Sequence, residues 1–242
     1  MPDCDLIDLI MFTARCRASL LERTVSNLSS HANVRQFTRR ILSIDGYDQA
    51  ILSSKLINFF IDVVLIMNHS GYFRNIRQGL DRLNSPFFFW CEDDFELSSI
   101  PQFEGVSDIF VQYQRLAQIR MRKKEPLLLE QRGFGEISPG IYGNCESYGF
   151  WPHFGRTDLM REAAEALVGA GNINVEVAVS RWMRSRNAVF GIWDSDVYHV
   201  RHFGPEVVGG HSDYSSHFIS EPPRPTDEAA EHNCTWSDTP PI

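Results

Sequence analysis

Glu92, Asp93 and Asp94 stand together directly after the most apolar short run of the chain, Phe87-Phe88-Phe89-Trp90. A hard divalent cation takes oxygen ligands and can bridge a carboxylate to a diphosphate, so the triplet is a candidate cation site. The run before it is long enough for one buried strand and too short for an independent helix. Acids at the exit of such a strand lie where open α/β sheets bind ligands. The plainer alternative is a solvated turn after a core strand.

The elements that must position these acids follow from the hydrophobic pattern. Leu6–Phe12 reads as a buried strand, followed by Thr13-Ala14-Arg15-Cys16-Arg17 and a helical pattern with Leu20, Leu21, Val25 and Leu28 on one face. Arg40–Ile44 is a second strand, ending on the turn signal Asp45-Gly46. Ile61–Met67 is a third strand, and a helix with Phe73, Ile76, Leu80 and Leu83 leads to the Phe87–Trp90 strand. Strands and helices alternating at this spacing predict a mostly parallel sheet with right-handed crossovers.

Past Leu97 the alternation loosens. Val111–Arg122 fits a helix or an antiparallel strand, and Arg132–Gly149, rich in Gly, Ser and Asn, reads as loop-dominated. Helices follow over Thr157–Val168 and Asn174–Ser185, the second burying Val175, Ala178, Val179 and Trp182, and then strands over Val189–Trp193 and Val197–Phe203.

Bulk properties exclude some partners. The chain has 242 residues, 43% hydrophobic and 22% charged, with a formal net charge of -8. From Ile219 onward Glu221, Asp227, Glu228, Glu231 and Asp238 oppose only Arg224, so this Pro-rich tail (219–242) reads as disordered and the body is only mildly acidic. Such a body has no global attraction for nucleic acid. The five cysteines are scattered without C-x-x-C spacing, which fits reduced thiols. With an acidic N-terminus and no apolar run long enough for a membrane span, the expectation is a cytoplasmic protein of one domain.

The order strand, Thr13-Ala14-Arg15, helix ending Ser26-Asn27-Leu28, strand, Asp45-Gly46, then Gly71-Tyr72-Phe73-Arg74-Asn75, helix, Gly79-Leu80, apolar strand and Glu92-Asp93-Asp94 resembles a known pattern. It is similar to the nucleotide-sugar-binding half of family 2-like glycosyltransferases with the GT-A fold. The resemblance covers residues 5–97 well and 150–204 loosely. It implies one α/β domain over 1–218, with a donor half over 1–97 and an acceptor-side half over 98–218 that holds a smaller antiparallel portion.

The resemblance also assigns roles. Thr13, Arg15 and Asp45 would line the nucleotide pocket, with Arg74, Glu92 and Asp93 on the nucleotide sugar. Asp94 would be the principal ligand of Mn²⁺ or Mg²⁺, joined by His202 of the late Val200-Arg201-His202-Phe203-Gly204 stretch. Glu in place of the first Asp of the usual Asp-x-Asp is a departure from the family. Glu176, near the start of the later helix, would be the carboxylate base of an inverting reaction, although the usual Glu-Asp pair reads Val175-Glu176-Val177 here. The plainer role for Glu176 is a helix-start acid favoured by the macrodipole.

Trp151 and His153, in Phe150-Trp151-Pro152-His153-Phe154, are candidates for stacking the acceptor, although aromatics are also ordinary core residues. The implied partners are a nucleotide-diphosphate sugar and an acceptor hydroxyl. Two alternatives stand beside this reading: a sugar-phosphate nucleotidyltransferase, against which the glycine-free Thr13–Arg17 stretch counts, and a non-catalytic binding member of the same fold.

Overall fold

The computed structural model describes residues 6–14, 17–46, 49–52, 55–66, 72–103, 105–123, 135–144, 147–169 and 174–203. In chain order these form β1 (Ile7–Ala14), α1 (Ala18–Ser30), β2 (Arg40–Asp45), α2 (Gln49–Leu52), β3 (Asp62–Ile66), α3 (Tyr72–Leu80), β4 (Phe87–Glu92) and β5 (Phe95–Leu97). The second half continues with α4 (Val106–Gln112), β6 (Leu116–Lys123), β7 (Glu136–Ser138), β8 (Ile141–Asn144), β9 (His153–Arg156), α5 (Thr157–Leu167), α6 (Val175–Arg184), β10 (Val189–Trp193) and β11 (His199–His202). The acidic tail lies outside the described residues.

The strands line up in the order β3-β2-β1-β4-β9-β6-β10-β8-β7, with β11 joining β5 and β6. The first four are parallel, β9 runs antiparallel between β4 and β6, and β10 is again parallel to β6. The β3-β2-β1-β4 part is the parallel α/β sheet that the alternating pattern predicts.

Strand period explains the unbroken apolar runs. In β1, Ile7, Leu9 and Met11 enter one core while Ile10 and Phe12 enter the other. In β4, Phe87, Phe89 and Cys91 join the first core, and Phe88 and Trp90 the second. Both faces are covered, so no polar alternation is tolerated. Each large side chain buried this way contributes roughly 1.5–3 kcal/mol.

The connections are held by buried polar groups. Asp8, fully buried in β1, accepts hydrogen bonds from Asn84 N (2.8 Å), Ser85 N (3.1 Å) and Ser85 Oγ (3.0 Å), which fixes the turn that starts β4. Arg161 of α5 donates to Leu80 O and Leu83 O at the end of α3, satisfying carbonyls a helix terminus leaves open. Gly79 brings α3 close to the sheet: a Cβ there would lie 2.9 Å from the Phe12 ring.

Two expectations are corrected, and one left open between helix and strand is resolved. Residues 111–122 split between the end of α4 and strand β6, whose Leu116, Ala117, Ile119 and Met121 are buried in mid-sheet. Within the stretch read as loop-dominated, β7 and β8 form a hairpin that extends the sheet from β10. Its buried Ile137 and Ile141 were masked by surrounding Gly and Asn. In α6 the core position belongs to Met183, 1% exposed, while Trp182 is half-buried with the Arg186 guanidinium 4.1 Å above its ring.

Candidate functional site

Strand order alone puts the candidate acids in a crevice. From β1 the chain grows outward to β2 and β3, then returns to β4 on the opposite side of β1. Such a switch point opens a cleft beyond the carboxyl ends of the two strands. The register pairs Phe12 with Glu92 and Ala14 with Asp45. Thr13, Asp45 and residues 92–94 therefore meet one rim.

The centre of the rim is an arginine that reading the sequence passed over. Arg17, just ahead of α1, donates through Nε to both oxygens of Asp93 (2.9 and 2.8 Å) and through Nη2 to Asp93 Oδ1 (2.6 Å). The same Nη2 donates to Asp94 Oδ2 at 2.7 Å. Thr13 Oγ1 makes a short hydrogen bond to Asp93 Oδ2, and Thr24 Oγ1 donates to Asp93 O (2.7 Å). Asn27 then bridges Leu97, donating to its O and accepting from its N, so α1 is riveted to the turn that carries the acids. Asp93 is thus absorbed in holding the rim together.

The last strand completes the corner. β11 pairs antiparallel with β5, setting His202 opposite Phe95, and the two rings stack at 4.8 Å. His202 Nε2 lies 3.2 Å from Asp94 Oδ2, and Phe203 N donates to Asp94 O at 3.0 Å. The loop entering β11 is tied by buried Arg122, which bonds Ser195 O (2.9 Å) and pairs with Asp194 (3.2 Å) and Asp196.

The electrostatics follow from this packing. Burial opposes ionisation of Asp94, yet the His202 hydrogen bond and the Arg17 charge outweigh it and hold its carboxyl below the usual range. Burial pushes the Asp93 carboxyl up, against the pull of Arg17 and Thr13. Burial also weakens the Arg17 charge, but two carboxylates more than restore it, and its pKa is raised. One oxygen stands apart: Asp94 Oδ1 is buried and finds no hydrogen-bond partner among the described residues.

A second set of groups lies one strand over. β9 places His153 beside Trp90 and thus Phe150 and Trp151 near the end of β4. Glu176 Oε1 accepts from Phe150 N at 2.9 Å, while Asn174 Oδ1 caps α6 through Val177 N (3.2 Å). Ser180 Oγ accepts from Tyr148 N (2.8 Å), and Gln118 both donates to Gly149 O and accepts from Gly149 N. His153 is fully buried, its Nδ1 2.6 Å from Trp151 O and its Nε2 2.7 Å from the Tyr148 hydroxyl. Since a carbonyl only accepts, Nδ1 carries the proton and Nε2 accepts from Tyr148. Burial pulls its pKa down to about 3, which the Trp151 carbonyl opposes and Arg120 reinforces. His153 is a neutral brace inside the core, and Trp151, half-buried with the Arg120 guanidinium 5.1 Å from its ring, is the aromatic nearer solvent.

The remaining candidates are placed as follows. Asp45 is 4% exposed at the end of β2, followed by Gly46 at φ 95°, a left-handed conformation that favours glycine. Glu92 is half-buried on the rim, and Arg74 is exposed on the first turn of α3. Arg15 lies outside the described residues. Among the described residues no group of three or more His, Cys, Asp and Glu side chains gathers around a cation position. Nor is any described helix long and apolar enough to cross a membrane.

Together the switch-point sheet, the acidic rim and the returning β11 define a GT-A fold. The structure is similar to that of GalNAc-T7 solved with UDP, GalNAc and Mn²⁺ (TM-score 0.57, 9% identity, 81% of this chain and 43% of that one). It is also similar to S. aureus TarS (TM-score 0.55, 13% identity, 83% of this chain and 37% of that one). The chain thus spans less than half the length of either. No family model and no curated protein matches by sequence.

Proposed function

We propose that the protein is a glycosyltransferase that moves a sugar from a nucleotide-diphosphate sugar to an acceptor hydroxyl, with inversion. The observation that carries the reading is the convergence of Thr13, Arg17, Asp93, Asp94 and His202 at the switch point, with Asp94 Oδ1 buried and unpartnered among the described residues. An orphan carboxylate oxygen beside an imidazole fits an Mn²⁺ or Mg²⁺ ion whose other ligands are diphosphate oxygens and water, since such ions commonly take only one or two carboxylates from protein. Asp94 Oδ1 would hold it, and His202 Nε2 would join by giving up its hydrogen bond to Asp94 Oδ2. When bound, such an ion neutralises charge on the departing diphosphate.

The chain's own residues divide the remaining work. Asp45 at the tip of β2 contacts base or ribose, with Thr13 beside it and Glu92 facing the ribose. Arg74, exposed on the first turn of α3, adds positive charge for the phosphates. Glu176 keeps one oxygen on Phe150 N and takes the acceptor proton with the other, so the alkoxide attacks the anomeric carbon as its bond to the diphosphate breaks. Trp151 offers the acceptor a flat apolar face, and His153 holds that segment in place. In this reading the donor half is 1–97 and the acceptor half 98–218, in a cytoplasmic setting consistent with scattered thiols.

The test is turnover of a panel of nucleotide sugars with Mn²⁺. Hydrolysis or transfer of one of them, abolished by Asp94→Asn, supports the reading. Turnover of a nucleoside triphosphate with a sugar phosphate instead assigns the site to nucleotidyl transfer.

A further inference from the structure

Arg17 has no part in the division of work above, yet it makes the shortest ionic contacts of the rim. Its Nη2 reaches Asp93 Oδ1 at 2.6 Å and Asp94 Oδ2 at 2.7 Å, with 11% of its side chain exposed. A guanidinium is a permanent, weakly hydrated cation that matches carboxylate geometry. The Asp94 carboxylate therefore already holds one positive charge on Oδ2, shared with His202, while Oδ1 remains unpartnered among the described residues. A divalent ion arriving at Oδ1 would sit on the far side of the same small carboxylate from a fixed like charge, in a buried and weakly screened corner.

We propose that Arg17 is an internal counter-cation that weakens binding of a free divalent ion at Asp94, so that metal and diphosphate enter the site together. The inference deepens the glycosyltransferase reading and rests on it for the identity of the diphosphate. The physical logic is a balance of charge. With Arg17 in place, part of the charge of Asp93 and Asp94 is already compensated, so a lone Mn²⁺ gains less there than beside uncompensated carboxylates. A diphosphate supplies negative charge and further oxygen ligands at the same moment. The rivets from Thr13 and Arg17 Nε keep Asp93 and the guanidinium in place throughout, so Arg17 does not need to leave for Asp94 Oδ1 to act. Arg17 is thus a positioning and selectivity residue and touches no reacting atom.

The experiment is an Mn²⁺ titration followed by the electron paramagnetic resonance signal of the free ion, with the full chain. For Mn²⁺ alone, Arg17→Gln is expected to bind at least tenfold more tightly than wild type, and Arg17→Lys to stay within about threefold of it, because the charge is kept. If Arg17→Gln fails to fold, Arg17→Met, which removes the charge but keeps a long apolar stem in the buried corner, carries the same expectation. Mn²⁺ affinity within twofold of wild type, in a variant that circular dichroism shows to be folded, overturns the inference. Adding UDP, GDP, CDP and dTDP in separate arms tests the underlying reading. Wild type that gains no Mn²⁺ affinity with any of them removes the metal–diphosphate reading, whereas the comparison with Mn²⁺ alone still decides whether Arg17 competes for Asp94.

Discussion

His202 meets Asp94 at 3.2 Å, Nε2 to Oδ2, although one residue leaves β4 and the other ends the last strand described. The contact exists because β11 runs back along β5 and stacks the imidazole on Phe95. Two functional candidates from opposite halves of the chain are thus joined by the fold itself.

Asp94→Asn should remove the charge that this corner is built around while keeping the volume. Transfer should fall by about 10²-fold or more, the scale of losing one preorganised electrostatic group in an active site. Steady-state turnover of the nucleotide sugar measures it. Activity within a few-fold of wild type would take Asp94 out of the mechanism.

Glu176→Gln separates base from scaffold, since the amide oxygen can still accept from Phe150 N. Transfer should drop by about 10²- to 10⁴-fold, the range for a positioned proton acceptor, with donor affinity unchanged. Isothermal titration of donor alongside a transfer assay reads both. Undiminished transfer would eliminate Glu176 as the base.

His153 gives a pH signature in stability. Its pKa in the fold is about 3, against an ordinary 6.5. The unfolded state binds the proton more readily, so stability is full above about pH 6.5 and is lost as pH falls toward 3. The steepest loss from one such group is about 1.4 kcal/mol per pH unit. Urea denaturation across that window should show a shallower slope for His153→Gln than for wild type. Parallel profiles would mean that His153 takes up its proton in the fold as readily as in the unfolded chain.

Gly79→Val tests how α3 is seated. A branched side chain would drive into Phe12 and Ile10, whose nearest atoms already lie 2.9 and 3.0 Å from an added Cβ. A loss of about 1–3 kcal/mol is expected from overpacking. Thermal melts measure it, and a melting temperature equal to wild type would show that α3 shifts freely.

The first half of the fold was legible because its strands are buried on both faces and its turns are marked. Phe87–Trp90 can only be a central strand, and Asp45-Gly46 carries the positive φ that its sequence suggests. The acids were legible for the same reason, being fixed to the end of that strand. Arg17 was not, because its role depends on register between β1 and β4, which no local pattern records. The hairpin β7–β8 escaped because two short strands paired on one edge leave almost no period to read. His153 was a candidate for stacking the acceptor beside an ordinary core role, and only the long-range approach of Trp90 and Tyr148 decides for the core.

The central claim is that the Asp94 corner binds a metal–diphosphate pair. Thermal melting of wild type and Asp94→Asn with nucleoside diphosphates, with and without Mn²⁺, tests it most directly. The account predicts that one nucleoside diphosphate raises the wild-type melting temperature only when Mn²⁺ is present, and that Asp94→Asn loses the shift. No shift with any nucleotide and metal, or an equal shift in Asp94→Asn, would contradict it.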